Sequence, residues 1–314
     1  MKEKSSALQG VILAAGKGTR IQPLSEHLPK PLLPILDKPL LVWQIEEMRG
    51  LGIEDIVIVI GHLGHHVVNA LGNGSQLGVK ITYVEQQEML GIAHAVAQLT
   101  PYIDRPFLLF LGDIFFETND LSTMVELFQP EDVGGVLAVK REKNLDAIRK
   151  NFTVTLDERG YVERVIEKPL HPTTDLKGCG LYLFDNSIFD AIRRTPRTAF
   201  RDEYELTESV QIFVDQGAGV VPALVVENDL NLSTGRDLLE INLHVMKRAG
   251  HDNWIAETAR VDEGAELHSA VVMSGAHVSA QAQLEECLVM PGETVLAGRH
   301  RRKIFMHGQE VICT

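Results

Sequence analysis

Gly10-Val11-Ile12-Leu13-Ala14-Ala15-Gly16-Lys17-Gly18-Thr19-Arg20 begins as an unbroken apolar run and breaks at two closely spaced glycines. A run of aliphatic residues that does not alternate suits a strand covered on both faces, so the stretch reads as the first strand of a parallel sheet. The turn beyond it presents backbone N–H groups toward a bound phosphate, with no Cβ to hold the ligand away. Gly-x-Gly alone says little. No third glycine opens a helix, as dinucleotide binding would need, and no Gly-Lys-Ser/Thr follows, as a P-loop would need. Instead Arg20 and Lys30 flank the turn in a segment stiffened by Pro23, Pro29 and Pro31. For an isolated Arg and Lys, a solvated surface face is an equally good reading.

Working outward, short β-branched runs alternate with helix-period stretches up to about Gly217. Strands are predicted at Gly10 to Ala14, Asp55 to Ile60, Ile81 to Val84, Phe107 to Leu111 and Gly135 to Val139. Helices fall between them at Leu40 to Gly50, Gly64 to Leu71, Gly91 to Leu99 and Asp120 to Phe128. The alternation predicts an α/β fold, a doubly wound and mostly parallel sheet covered by helices. Further strands are predicted at Phe152 to Leu156, Tyr161 to Ile166 and Cys179 to Phe184, then helices at Leu206 to Asp215 and Gly235 to Arg248.

After about His251 the texture changes to a repeat of 17 residues: Val261 to Leu267 with Val271 to Gly275 lines up with Val278 to Leu284 and Leu288 to Gly292. Val295 opens a third, incomplete copy. Aliphatic positions spaced by six, five and six residues suit a triangular coil whose flat sides are short strands. A repeat this short cannot bury its inner face alone and must stack on its neighbours. The expected domains are therefore 1–250 and 251–314, the second a short β-helix.

With 314 residues, 45% hydrophobic, the chain can bury a full core. Thirty basic against 43 acidic side chains give a net charge of −13, which argues against nucleic acid as a partner but leaves a local basic cleft for small phosphorylated molecules. The apolar run from Val11 to Ala15 is too short for a secretory or membrane segment, so no membrane partner and a cytoplasmic location are expected. Cys179, Cys287 and Cys313 fit neither a disulfide framework nor a zinc site. His62, His65 and His66 read as a solvated helix start rather than a ligand set.

Gly16 to Arg20 followed by Pro23-Leu24 and Pro29-Lys30-Pro31-Leu32-Leu33-Pro34-Ile35 resembles the signature of the sugar nucleotidyltransferases, the family of glucose-1-phosphate thymidylyltransferases and mannose-1-phosphate guanylyltransferases. Further stations recur in that family's order: Leu111-Gly112-Asp113, Glu167-Lys168-Pro169, Gly180 to Phe184, Tyr204 to Glu208, and Asn231-Leu232-Ser233-Thr234. The resemblance implies a Rossmann-like catalytic domain, and for the repeat a left-handed β-helix of hexapeptide type. It also implies Mg2+-assisted, in-line attack of a sugar 1-phosphate on the α-phosphorus of a nucleoside triphosphate, a reaction of positioning and charge neutralisation.

By that resemblance, backbone groups of Leu13, Ala14, Ala15, Gly16, Gly18 and Thr19 cradle the triphosphate. Arg20 holds the leaving pyrophosphate and Lys30 sits near the α-phosphate. Lys168 neutralises the sugar phosphate, with Glu167, Gly180 and Glu205 on the sugar side. Asp113 and Asn231 hold Mg2+, with Asp229 as an alternative ligand because Asn231 stands where many members carry Asp. Asn151-Phe152 stands where many members carry an aromatic-glycine pair, which leaves the sugar open. Gln86 and Gly91 fall where bases are read; one amide donor and one acceptor match thymine or uracil, so dTTP or UTP is expected over GTP, and glucose 1-phosphate as acceptor.

Guanylyl transfer to mannose 1-phosphate is the alternative within the class, and a catalytically silent regulatory subunit of the same fold the alternative outside it. Intact Arg20, Lys30, Asp113 and Lys168 argue against the silent subunit. An acyltransferase built on the repeat is disfavoured by so few coils. The repeat is expected to serve assembly of a homo-oligomer, and its removal to alter assembly or solubility more than chemistry.

Overall fold

The computed structural model describes residues 8–198 and 202–313. These form two compact units, neither continuous in sequence. The first holds residues up to 16 with 44–112 and 116–229; the second holds 17–43, 113–115 and 230–314.

In the first unit, β1 (Gln9–Ala14), β2 (Asp55–Ile60), β3 (Lys80–Glu85) and β4 (Phe107–Leu111) lie parallel in the order β4-β1-β2-β3. Val11 and Ile12 are fully buried, as a strand covered on both faces requires. Helices α1 (Leu40–Gly50), α2 (Gly64–Leu71) and α3 (Ile92–Ala97) make the crossovers. A Cβ added at Gly10 would lie 2.7 Å from Met48 Sδ, so the glycine lets α1 lie close on β1. His65 and His66 fall in the first turn of α2, with ring centroids 4.1 Å apart.

Beyond β4 come β5 (Ile114–Thr118), α4 (Ser122–Leu127), β6 (Val133–Arg141), α5 (Leu145–Arg149), β7 (Phe152–Leu156), β8 (Val162–Glu167) and β9 (Leu176–Phe184). They are followed by α6 (Ile188–Arg194), α7 (Leu206–Asp215), β10 (Gly219–Ala223), β11 (Val226–Asn231) and α8 (Gly235–Arg248). Strand β9, buried along its whole length, runs antiparallel to both β4 and β6, while β7 and β8 extend the sheet as an antiparallel pair. The sheet is therefore mixed: parallel from β4 to β3, antiparallel where β9 meets β4, β6 and β7, with β10 parallel to β6 at that end. Strands β5, β10 and β11 and helices α5 and α6 add to the elements expected from sequence; β5 and β11 pair in a ribbon outside the main sheet.

In the second unit the repeat forms a β-helix. Trp254, Val271, Leu288 and Ile304 stack in register on one side, Val261, Val278 and Val295 on the next, and Leu267, Leu284 and His300 on the third. Left-handed φ values at Ser269 (51°), Glu286 (50°) and Arg302 (50°) mark one recurring corner. The third coil is closed by an antiparallel hairpin, Lys303–Met306 with Gln309–Ile312. All three cysteines are buried and unbridged.

The coil has apolar residues on both faces of one side. Val272, Val289 and Phe305 fill its interior with Val278, Leu284 and Val295. Their neighbours Val271, Leu288 and Ile304 point outward and share a second core with Leu238 and Ile241 of α8 and with Ile21, Leu24, Leu33 and Ile35. An apolar outer face needs a cover, and residues 17–43 and α8 supply it. The coils begin near the expected boundary, yet they are built into the same core as the segment carrying Arg20 and Lys30. This packing argues against treating the repeat as separable from the chemistry.

Candidate active site

The first unit contributes the ends of its parallel strands. After β1 the backbone from Leu13 to Gly16 passes close to two glycines: an added Cβ at Gly112 would lie 2.7 Å from Leu13 O, and one at Gly61 would lie 2.6 Å from Ala15 O. Gly112 N also donates to Leu13 O at 2.9 Å. Glycines after β2 and β4 thus let the turn after β1 run where a side chain would block it. Gly61 escaped the sequence reading because its role depends on a strand distant in sequence. Ala14 and Ala15 are buried, whereas Gly16 is exposed and a Cβ added there would meet nothing within 4 Å.

Gln86 follows β3 and is 6% exposed; its backbone N–H donates to Ile60 O and its Nε2 to Glu88 O at 3.0 Å. Gly91, with φ 110°, lies against Tyr204, where an added Cβ would come within 2.5 Å of the carbonyl oxygen. Tyr204 N donates to Leu90 O at 2.8 Å, and Ala93 N donates to Tyr204 O at 2.9 Å. The next residue, the buried Glu205, is the N-cap of α7. The structure therefore joins the loop of Gln86 and Gly91 to the start of α7.

Lys168 follows β8 with φ 43°, a left-handed conformation that a lysine adopts at a cost. Its N–H donates to Asn151 O at 2.8 Å, and its Nζ lies 3.6 Å from Glu167 Oε1. Glu167 Oε2 accepts from Thr207 Oγ1 of α7. Gly180, φ 75°, sits where the pairing of β9 with β6 shifts register. Phe152 lies over Gly178, whose added Cβ would meet its ring at 1.9 Å, and stacks on Tyr182 with centroids 5.9 Å apart.

One ionic cluster here was not foreseen. Asp229 accepts from Lys177 and lies 2.9 Å from Lys140 Nζ, which is itself 3.6 Å from Glu142. Burial works against the Lys140 charge, but the Asp229 carboxylate outweighs it and holds the ammonium above its usual range. Burial pushes the neighbouring Cys179 thiol far up. With its side chain 1% exposed and committed to two lysines, Asp229 is unsuited to ligate a metal, which removes it as the alternative to Asn231. The signal was Lys177 in an otherwise uncharged buried strand, since a buried ammonium needs a carboxylate partner.

The chain runs from Gly16 into Lys17, and from Gly112 into Asp113, directly into the second unit. There Gly18, φ 64°, caps a short 3-10 turn, Thr19–Ile21, and accepts from Ser25 Oγ at 2.7 Å. Thr19 and Arg20 are exposed, while Ile21 is buried and pins the turn. Lys30 is 7% exposed, and its Nζ donates to Asp113 Oδ2 at 2.7 Å. Asp113 O accepts from Leu232 N at 2.9 Å, which brings Asn231 beside the same residue. Lys30, Asp113 and Asn231 are thus gathered in one unit.

The donor set suits magnesium. Among the described residues no group of three or more His, Cys, Asp or Glu is arranged to hold a metal. Asp113 and Asn231 instead offer one carboxylate and one amide oxygen. Mg2+ is commonly held by one or two carboxylates while phosphates and waters complete its shell. Among the described residues no helix is long and apolar enough to cross a membrane.

Comparison with known proteins identifies the family. The nucleotidyl transferase family profile matches residues 9–246. The chain is 32% identical over 265 residues to the low-salt glycan biosynthesis nucleotidyltransferase Agl11 of Haloferax volcanii, covering 83% of this chain and 72% of that protein. It is 31% identical to a glucose-1-phosphate thymidylyltransferase of Streptomyces griseus, covering 90% of this chain and 81% of the relative. Among solved structures, a putative glucose-1-phosphate thymidylyltransferase from Bacillus anthracis, in complex with a sucrose, superposes with TM-score 0.67 at 27% identity, over 75% of this chain and 94% of that one. A UDP-glucose pyrophosphorylase complexed with UDP-glucose gives the same TM-score, 0.67, at 24% identity, over 77% of this chain and 99% of that one, a likeness of fold. With the strand-end glycines, the Lys30–Asp113 pair and a family match over most of its length, the chain belongs to the nucleotidyl transferase family and is an enzyme of that class.

Proposed function

We propose that the chain is a Mg2+-dependent sugar-1-phosphate nucleotidyltransferase that uses dTTP or UTP and glucose 1-phosphate, making an NDP-sugar and pyrophosphate. The observation that carries the reading is the contact of Lys30 with Asp113, which focuses one ammonium and one carboxylate immediately beyond β4. The names of the relatives support the substrate class. The residues 1–250 are proposed as the catalytic domain and 251–314 as a β-helix domain. A homo-oligomer is proposed with them, because the first coil presents edge strands at Trp254–Ile255 and Arg260–Val261.

A phosphate oxygen of the sugar 1-phosphate bonds to the α-phosphorus as the bond to the β-phosphate bridging oxygen breaks, and that electron pair leaves on pyrophosphate. Backbone groups of Leu13 to Thr19 bind the triphosphate, and Arg20 holds the departing pyrophosphate. Lys30 steadies the charge that builds at the α-phosphate. Lys168 lowers the repulsion between two anionic reactants, with Glu167 beside its ammonium. Glu205 and Gly180 bound the sugar. Asp113 and Asn231 would hold a magnesium ion, which would supply charge neutralisation to the reacting phosphates.

Gln86 supports the base assignment, since its amide offers a donor and an acceptor to the O4 and N3–H of a pyrimidine; Gly91 lets the same loop lie against Tyr204. Guanine, with two adjacent donors on its edge, would be better served by a carboxylate. The test is mass spectrometry of the product. Incubation with dTTP or UTP and glucose 1-phosphate is expected to yield the NDP-hexose. Donor preference over GTP should be at least ~10-fold in kcat/KM, about 1.4 kcal/mol, and should narrow in Gln86→Glu. Best turnover with GTP would refute the base assignment.

A further inference from the structure

The turn that carries Lys30 runs directly into a short hairpin. Pro34–Ile35 and Lys38–Pro39 form a two-stranded hairpin whose tip is Leu36-Asp37. Leu36 has φ 54°, a conformation that a leucine avoids unless its surroundings impose it. Two groups from distant parts of the second unit hold this tip. Asn242 of α8, fully buried, accepts from Leu36 N at 2.6 Å and donates through Nδ2 to Pro34 O at 3.2 Å and Leu238 O at 2.9 Å. From a corner of the coil, Ser274 donates its N–H to Asp37 Oδ1 at 2.9 Å and its hydroxyl to Asp37 Oδ2.

We infer that Asn242 and Asp37 are positioning residues, which fix Lys30 on Asp113 by clamping the strained Leu36-Asp37 turn between α8 and the coil. The mechanical link is short. Lys30 starts a 3-10 turn ending at Leu32, Leu33 N donates to Lys30 O at 3.1 Å, and Pro34 enters the hairpin at once. Pro29, Pro31 and Pro34 remove much of the freedom by which this segment could absorb a shift of the tip. Asn242 and Asp37 act through the turn rather than on the substrate. Its two anchors differ in kind. A buried asparagine with three partners is costly to disturb, and an exposed carboxylate can be changed with little effect on folding. The β-helix, through Ser274, and α8, through Asn242, thereby set the position of a cation in the site.

The kinetic part of this inference rests on the proposed transferase activity, so its test carries one arm that does not. In the full-length protein, Asn242→Ala, Asp37→Ala and Asp37→Asn are compared with wild type. The activity-free arm follows modification of Lys30 by acetic anhydride, read by peptide mass spectrometry with Lys168 as internal reference. The kinetic arm measures kcat and both KM values with the preferred substrates. Asn242→Ala and Asp37→Ala should raise Lys30 labelling relative to Lys168. They should also lower kcat about 10–100-fold with KM for the sugar phosphate within about three-fold, since misplacement of a positioned group by an ångström acts on turnover. Asp37→Asn keeps an oxygen for Ser274 N–H and should restore both readouts. If Asn242→Ala fails to fold, Asp37→Ala against Asp37→Asn decides alone. Unchanged Lys30 labelling in the folded alanine variants, or raised labelling with unchanged kcat, overturns the positioning role. A wild type inactive with every substrate pair would refute the transferase reading, while the labelling arm still decides whether the clamp holds Lys30.

Discussion

Lys30 Nζ and Asp113 Oδ2 meet at 2.7 Å although 83 residues separate them in sequence, and the two side chains differ in exposure, 9% for the lysine and 43% for the aspartate. The buried member is the cation. Asp113 neutralises Lys30 while much of its own side chain stays exposed to solvent.

Asp113→Asn is expected to fold and to lose at least ~100-fold in kcat with Mg2+, because it removes charge from the metal site and from the Lys30 partnership together. Retention of half of wild-type turnover would contradict the assignment. In a double-mutant cycle with Lys30→Met the two losses should be clearly non-additive, as for residues that act as a unit.

Lys168→Ala is expected to raise KM for the sugar phosphate far more than KM for the nucleotide, with roughly 2–4 kcal/mol of transition-state stabilisation lost. Initial-rate kinetics with each substrate varied in turn would show it. Equal damage to both constants would place Lys168 elsewhere.

Truncation after His251 is expected to yield insoluble or inactive protein. It strips the cover from Leu24, Leu33, Ile35, Leu238 and Ile241, all nearly or fully buried and sharing a core with Val271, Leu288 and Ile304. A soluble truncated chain with wild-type kcat would show that the shared core is dispensable.

Within the coil, Asp262 accepts from His277 Nε2 at 2.9 Å and from Arg260. The His277 bond holds its carboxyl below the usual range, partial burial opposes this, and Arg260 adds to it. A depressed carboxyl contributes stability above its unfolded value of about 3.8 and loses it as pH falls through the folded value. Asp262→Asn should therefore lower Tm near pH 7, and the difference from wild type should vanish in acid, as pH falls through the depressed folded value. A difference that grows in acid would reverse the sign and refute the account.

Much of the fold was legible because its signals are local. The parallel strands announce themselves as continuous apolar runs, and the coil as valines in register at Val261, Val278 and Val295. Residues with long-range partners were harder to read. Asp229 looked like a spare metal ligand until Lys140 and Lys177, on two other strands, claimed it. The partners of Val271, Leu288 and Ile304 could not be read, since a repeat pattern records which residues are apolar but not what covers them. Gly61 and Gly178 gain meaning only from the backbone or ring that lies against them. Strand β5 was missed because it is a short ribbon directly after Asp113, where the sequence suggested only a strand end.

Pyrophosphate release over a grid of ATP, CTP, GTP, UTP and dTTP against several sugar 1-phosphates, with and without Mg2+, bears most directly on the central claim. Release is predicted to require both substrates and the cation, and to be fastest with dTTP or UTP paired with glucose 1-phosphate. Absence of release from the folded protein with every pair, or release that proceeds equally without a sugar phosphate, would contradict it.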